Sequence, residues 1–103
     1  MNNNIQESYC SKEVSKLLKE KGFEFNMRTA PTGFPTHALA IEWIRVNFGI
    51  WIQVFNEEKN FGYDIINIKK KTSLGNLLYR AYAFNSPQQA TEAALLYTLQ
   101  NLI

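Results

Sequence analysis

The pattern of apolar and polar positions along the chain predicts three helices. In the first, four apolar positions between Cys10 and Leu18 fall on one helical face, while lysines and glutamates fill the opposite face. Either Ser8 or Ser11 can cap the start of this helix, because a short side-chain oxygen accepts hydrogen bonds from unpaired amides. Gly22 stands where a left-handed residue commonly ends a helix.

Two further helices have recognisable start signals. Thr36 is the expected N-cap of a helix over residues 37–47, whose wide apolar arc predicts contact with both the sheet and the first helix. Ser86 followed by Pro87 begins the third helix, which is expected to extend to about Asn101. Alanines on its expected inner face would let this helix lie close to a sheet.

Four segments have the character of strands. Residues 23–27 alternate between apolar and polar side chains, and residues 50–55, 61–68 and 77–84 are rich in β-branched and aromatic side chains. The short turn between the second and third of these segments predicts an antiparallel hairpin. The fourth segment is expected to extend the sheet, again in antiparallel orientation.

The predicted element order is α-β-α-β-β-β-α, which is typical of an α+β fold. We expect an antiparallel sheet of three to four strands with its helices mostly on one face. Residues 23–27 could join either edge of that sheet. A chain of 103 residues is long enough for one domain. Residues 8–103 are therefore predicted to form a single domain, preceded by a flexible arm over residues 1–7 that has no apolar pattern.

Composition narrows the class of protein. Hydrophobic residues make up 46% of the chain and charged residues 19%, which favours a folded domain over disorder. A single cysteine excludes an intrachain disulfide, and no apolar segment is long enough to span a membrane. Because no secretory leader is evident, the expected location is the cytoplasm, with no membrane partner.

The sequence holds few groups for catalysis or metal binding. With one His, one Cys and one Asp, it lacks the ligand set of a zinc or iron site, so no metal or cofactor is expected. Cys10 and His37 are the only Cys/His combination, and Cys10 lies on the apolar face, where thiols are usually inert. Carboxylates are spread over different elements. We therefore expect a protein that is not an enzyme.

Aromatic side chains on the predicted strands suggest a binding surface. If alternate positions of the strands face away from the helices, they form an open platform that could contact a protein partner. The alternative is that these side chains are packed in the core. The residues of this predicted sheet face are Trp51, Gln53, Phe55, Tyr63 and Tyr82.

Nucleic acid is an alternative partner. Lys69, Lys70 and Lys71 form the one basic run, and Arg80 is expected on a neighbouring strand. Basic residues beside stacked aromatic rings are how sheets bind single strands. A net charge of +2 permits such contact without requiring it, and a solvated loop is the alternative interpretation of the lysines.

Leucines near the end of the chain raise the question of self-association. Leu95, Leu99 and Leu102 form a stripe that lies off the expected inner face of the last helix. Contiguous exposed leucines are unfavourable unless something covers them. Two covers are open: the first helix of the same chain, or a second copy in a homodimer.

The order of elements from Thr36 onward resembles that of the double-stranded-RNA-binding domain, over about two thirds of the chain. The alanine spacing from Ser86 to Ala94 is similar to the last helix of that family. The lysine cluster that the family places there is replaced by Gln88, Gln89 and Thr91. The resemblance therefore implies the topology rather than the RNA-binding activity.

A second resemblance covers nearly the whole chain. Residues 9–23, residues 35–45 and the Ser86-Pro87 helix ending in Asn101-Leu102-Ile103 are similar to small uncharacterised proteins carried on prophages and mobile elements of gut anaerobic bacteria. This resemblance implies an accessory protein of such an element. The sequence as a whole thus predicts a non-catalytic binding module that contacts another protein, with nucleic-acid binding as the alternative.

Overall fold

The structure is a computed structural model that describes residues 8–25, 33–68 and 77–103. It has the α+β class predicted from the sequence, with an antiparallel sheet in the order β1-β2-β3. The predicted N-terminal arm, residues 1–7, lies outside the described residues. The elements in chain order are α1 Lys12–Glu20, α2 His37–Phe48, β1 Ile50–Glu57, β2 Asn60–Asn67, β3 Leu77–Phe84 and α3 Pro87–Asn101.

The ends of the helices are set by local chemistry. The hydroxyls of Ser11, Thr36 and Ser86 each accept a hydrogen bond, at 3.1 Å, from the amide three residues later. These contacts satisfy amide donors that a helix start leaves unpaired. Gly22 and Gly49 follow α1 and α2 in left-handed conformation, with φ of 101° and 67°. The predicted caps Thr36 and Ser86 are confirmed, and of the two candidates for α1 the structure has Ser11.

The predicted first strand, residues 23–27, is wrong over the three residues that the structure describes, because residues 23–25 form no strand. The Phe23 amide donates to the Leu18 carbonyl at 2.9 Å and so completes the end of α1. The Phe23 ring then stacks on Trp43 of α2, with 5.0 Å between ring centroids. Its apolar character therefore serves helix packing. Residues 26 and 27 lie outside the described residues.

The register of the sheet assigns each strand residue to one of two faces, because directly paired residues of antiparallel strands share a face. The inner face carries the pairs Ile52–Ile65 and Tyr63–Ala81 and meets the helices. The outer face carries four pairs along the middle of the sheet, namely Gln53–Asp64, Phe55–Gly62, Asp64–Arg80 and Gly62–Tyr82.

Helix α3 lies between the sheet and α1. Its Tyr97 ring stacks on Tyr79 of β3 at 3.9 Å between centroids, which joins it to the sheet. On another side, the Glu92 carboxylate accepts from the Ser11 amide. Near the other end, the Lys21 ammonium donates to the Ile103 carbonyl. The helix is therefore packed on two sides.

The leucine stripe of α3 belongs to the core. Leu95 is 0% exposed and Leu99 is 2% exposed, and Leu102 packs against the same core. The stripe lies between the two ends at which α3 is joined to α1, so α1 covers it. Of the two covers open from the sequence, the intrachain one is observed. Leu95 and Leu99 are therefore not available as a surface for self-association.

Candidate binding surfaces

The outer face of the sheet carries exposed aromatic side chains. Tyr82 is 65% exposed and Trp51 is 39% exposed, and Gln53 of β1 is exposed on the same face. Phe55 is half-buried. Four of the five predicted sheet-face residues thus lie on this face. We call the set Trp51, Gln53, Phe55, Arg80 and Tyr82 the outer-face cluster.

The fifth predicted residue, Tyr63, lies on the opposite face. It is 3% exposed, and its ring lies 5.7 Å from Phe84 and 6.0 Å from Tyr79 between centroids. Its neighbour in β1 is Val54, which also faces inward. Burial raises the pKa of Tyr63 to about 12, and the nearby tyrosines add to the effect. Tyr63 is a core residue and does not lie on the predicted sheet face.

Arg80 is held at the centre of the outer face. Its Nε donates to Asp64 Oδ1 at 2.5 Å, and its second nitrogen donates to Asp64 Oδ2 at 3.0 Å. The guanidinium also lies 5.6 Å from the centroid of the Phe55 ring. The bidentate pair, together with the charge of Glu57, raises the pKa of Arg80 further above its ordinary value. This arrangement orients a planar cation beside the Phe55 ring.

Glycine at position 62 makes that arrangement possible. A Cβ there would lie 2.6 Å from the Phe55 ring, 2.7 Å from the Ala81 carbonyl oxygen and 2.8 Å from the Tyr82 Cβ. Such distances are far below van der Waals contact. The Phe55 side chain therefore lies across the bare backbone of Gly62, which brings the aromatic residues of two outer strands towards each other.

Two shallow depressions flank Arg80 near the β1–β2 hairpin. One has a volume of about 430 Å³ and is lined by Glu57, Glu58, Asn60, Arg80 and Tyr82. The other, of about 350 Å³, shares Glu57 and Arg80 with the first. The outer face therefore combines aromatic, cationic and anionic groups, which suits a mixed polar and apolar partner.

Of the four residues predicted to contact nucleic acid, the structure describes only Arg80. Lys69, Lys70 and Lys71 lie outside the described residues. Arg80 is on the exposed face, as the sequence suggested, but its cation is already paired with Asp64. A phosphate would have to compete with that carboxylate, so Arg80 is a weaker phosphate ligand than its position in the sequence implies.

A second polar cluster joins the starts of α1 and α2 to α3. His37 Nε2 lies 2.6 Å from Glu92 Oε2, and the Ser11 amide donates to Glu92 Oε1 at 3.0 Å. Cys10 is close by and is buried, and its thiol donates to the Thr36 carbonyl at 3.8 Å. The cluster links α3 to the starts of α1 and α2, which lie more than fifty residues earlier in the sequence than Glu92.

The chemistry of this cluster is that of a structural link. Burial, followed by the negative charge of Glu92, raises the pKa of the Cys10 thiol to about 12, so it is not a thiolate nucleophile at neutral pH. Burial alone would raise the pKa of Glu92, but hydrogen bonds from His37 and Ser11 outweigh it and hold that pKa below its ordinary value.

An open depression of about 430 Å³ lies beside His37. Its walls come from the first turns of α2 and α3 and include Ala38, Ile41 and Pro87. Glu92 does not line it, and His37 Nε2 is engaged with that carboxylate. Within the described part of the chain, no group of three His, Cys, Asp or Glu side chains is placed to hold a metal ion.

The sequence did not predict the His37–Glu92 or the Asp64–Arg80 ion pair. Glu92 and Asp64 looked like scattered carboxylates, along with Glu24 and Glu42. The Asp64–Arg80 pair joins opposite charges on two neighbouring strands, where Arg80 alternates with Tyr82 along β3 and pairs directly with Asp64 of β2. The His37–Glu92 pair depends on how α2 crosses α3, and no pattern of neighbouring residues in the sequence predicts it.

Comparison with known proteins adds no relative. No family model, curated protein or solved structure matches this chain. Among the described residues, no helix is both long enough and apolar enough to cross a membrane.

Proposed function

We propose that this protein is a non-catalytic binding module that contacts another protein through the outer face of its sheet. The observation that carries the proposal is the exposure of Trp51 and Tyr82 on a face that no described helix covers. Large aromatic side chains left in water are unfavourable unless a partner buries them. In keeping with the sequence resemblance, we further propose that the module is an accessory of a prophage or mobile element.

The residue types of the outer-face cluster support this proposal. Trp, Tyr and Arg are the residues that most often dominate the binding energy of protein interfaces. Here Trp51, Arg80 and Tyr82 come from the two outer strands of one sheet. Because Arg80 is fixed by Asp64 and by the Phe55 ring, little side-chain entropy would be lost when a partner binds it.

The polar cluster around His37 favours binding over catalysis. Its carboxylate and imidazole satisfy each other, and the neighbouring thiol is held neutral by burial. A catalytic triad requires an activated nucleophile beside the base. The cluster supplies a base and its orienting group but no activated nucleophile.

The proposal is tested by affinity capture from a host lysate, with and without nuclease, followed by mass spectrometry. We expect a protein partner that is retained after nuclease treatment by the wild-type chain. A Trp51→Ala/Tyr82→Ala variant should lose that partner while its far-UV circular dichroism is unchanged, because both side chains are exposed.

Tyr9→Ala is the matched control, since Tyr9 is also an exposed aromatic residue and lies away from the sheet. It should retain the partner. If the double variant captured the same partner as the wild type, the outer face would not be the interface. If every partner vanished with nuclease, the protein-binding proposal would give way to nucleic-acid binding.

A further inference from the structure

Helix α1 presents a row of lysines on one side. Lys12, Lys16 and Lys19 are spaced at i, i+4 and i+7, so their side chains project from the same side of the helix. All three are exposed. Across the described residues, none of them forms an ion pair with a carboxylate. The row therefore concentrates three positive charges along about 10 Å of helix axis.

These lysines border a depression of about 250 Å³ that also has aromatic walls. Phe25 and Phe34 line it, and the Lys19 ammonium lies 4.9 Å from the centroid of the Phe25 ring. No carboxylate is among the described residues that line it. The depression thus offers positive charge and aromatic surface together, without an acidic group to repel an anion.

Ser15 borders the same depression, and its buried hydroxyl has no hydrogen-bond partner among the described residues. Ser15 lines it, is 5% exposed, and its hydroxyl is the one buried side-chain polar atom in the described part of the chain with no hydrogen-bond partner. Ser15 lies three residues after Lys12 and four before Lys19, so it falls within the lysine row. A buried hydroxyl without a partner is unfavourable, and a ligand oxygen would satisfy it.

We propose that this depression is a binding site for single-stranded nucleic acid. Lys12, Lys16 and Lys19 would contact backbone phosphates, the Ser15 hydroxyl would donate to a phosphate oxygen, and a base would pack on the aromatic wall. Proteins that bind single strands combine a positively charged groove with aromatic rings in this way. A folded nucleic-acid duplex would not offer an unstacked base to such a small depression.

This site is separate from the outer face of the sheet. It lies on α1, and α3 packs between α1 and the sheet. The nucleic-acid site does not rest on the proposed protein interface, and each of the two proposals can hold without the other. The site is also distinct in sequence from the basic run Lys69 to Lys71, which therefore serves as a charge-matched control.

The first test is fluorescence anisotropy of a labelled oligothymidylate titrated with the full chain at several salt concentrations. We expect weak binding at low salt. The logarithm of the association constant should fall with the logarithm of salt concentration with a slope of about −2, because each of three phosphate contacts to a single strand contributes about −0.7. No binding at low salt, or a flat salt dependence, would overturn the proposal.

Charge-matched variants localise the site. Lys12→Gln/Lys16→Gln/Lys19→Gln should weaken binding by about tenfold or more, since it removes all three phosphate contacts. Lys69→Gln/Lys70→Gln/Lys71→Gln removes the same charge and should change affinity by less than about threefold. An equal loss in both variants would indicate net charge alone, and a loss confined to the second would move the site to the lysine run. Either result contradicts the proposal.

Ser15→Ala separates a built site from a charged helix surface. It should weaken oligonucleotide binding by about three- to tenfold, the range of one hydrogen bond, while the thermal midpoint stays the same or rises. Unchanged affinity would contradict the assignment of this depression. Competition with polyglutamate tests the ligand class: displacement of the oligonucleotide as effective as that by unlabelled oligothymidylate would indicate an acidic-protein site instead.

Discussion

The two faces of the sheet show how differently one set of strands can be used. The inner face is filled with apolar side chains, and its tyrosine, Tyr63, is covered by helices and by other rings. The outer face carries Trp51 and Tyr82 in contact with water, beside an ion pair. The inner face is packed in the core, whereas the outer face leaves large side chains exposed. Substitutions that exploit this difference test it directly.

The largest contrast is expected between two identical substitutions on opposite faces. Tyr63→Ala should lower the free energy of unfolding by about 3–5 kcal/mol, because it leaves a large cavity in the core. Tyr82→Ala should change it by less than about 0.5 kcal/mol, since the ring is mostly exposed. Urea denaturation of both variants measures the difference. Similar losses for the two would refute the assignment of faces.

The next effect concerns close packing on the outer face. Gly62→Ala should destabilise the protein by about 1–3 kcal/mol, the usual cost of overpacking, because its Cβ would meet the Ala81 carbonyl as well as the Phe55 ring. Phe55→Ala in the same background would relieve the ring contact but not the backbone contact. The double variant should therefore recover only part of the loss. Full recovery would mean that the backbone contact is unimportant.

The hydrogen bonds of Glu92 with His37 and Ser11, on the helical side of the sheet, should make the stability of the fold depend on pH. The pKa of Glu92 is lower in the folded chain than in the unfolded one. The ionised form therefore stabilises the fold above the unfolded pKa, near 4.3, and that contribution is lost as pH falls through the lower folded value.

Glu92→Gln should remove about 1–2 kcal/mol at neutral pH, in the range of charge-assisted hydrogen bonds. It should also flatten the acid limb of the stability profile. Thermal unfolding of both proteins across acidic pH measures this. The wild-type loss on acidification should exceed that of the variant, and equal slopes would show that Glu92 is not the titrating group. Glu42→Gln, on an exposed part of α2, is the control.

The smallest expected effect lies in the irregular end of β3. Ala83 has φ of 83°, at a register shift between Phe61 and Gly62 of the facing strand. A side chain is unfavourable in that conformation, whereas glycine adopts it freely. Ala83→Gly should therefore raise the free energy of unfolding by about 0.5–1 kcal/mol. A loss of stability would imply that the Ala83 methyl group makes a stabilising contact that outweighs the unfavourable backbone conformation.

Sequence reasoning succeeded where the signal was local. The N-caps of α2 and α3, the two glycines that end α1 and α2, and the bounds of β3 follow from residue type and spacing, and the structure confirms them. For α1 the sequence left Ser8 and Ser11 open, and the cap is Ser11. It failed at residues 23–25, where alternation of apolar residues resembled a strand. There Phe23 and Phe25 pack against each other and against the helical layer.

The candidate surfaces were predicted only in part. Trp51, Gln53, Phe55 and Tyr82 share one face of the sheet, as predicted. Tyr63 was placed on the wrong face because the register of β2 against β1 cannot be deduced from one strand alone. The leucine stripe of α3 was predicted to look outward from the helix, whereas Leu95 and Leu99 are buried in the same core as Ala94. The sequence left open whether α1 or a second chain covers it.

What the sequence determined by itself was the three helices, the three paired strands, most of their ends and the α+β class, because caps, turns and apolar periodicity act over a few residues. The tertiary structure decided which strand residues face water and which distant charges meet. Asp64 reaches Arg80 through strand register, and Glu92 reaches His37 through the packing of α3 on the start of α2. These contacts depend on the relative placement of whole elements, which no local pattern of residues specifies.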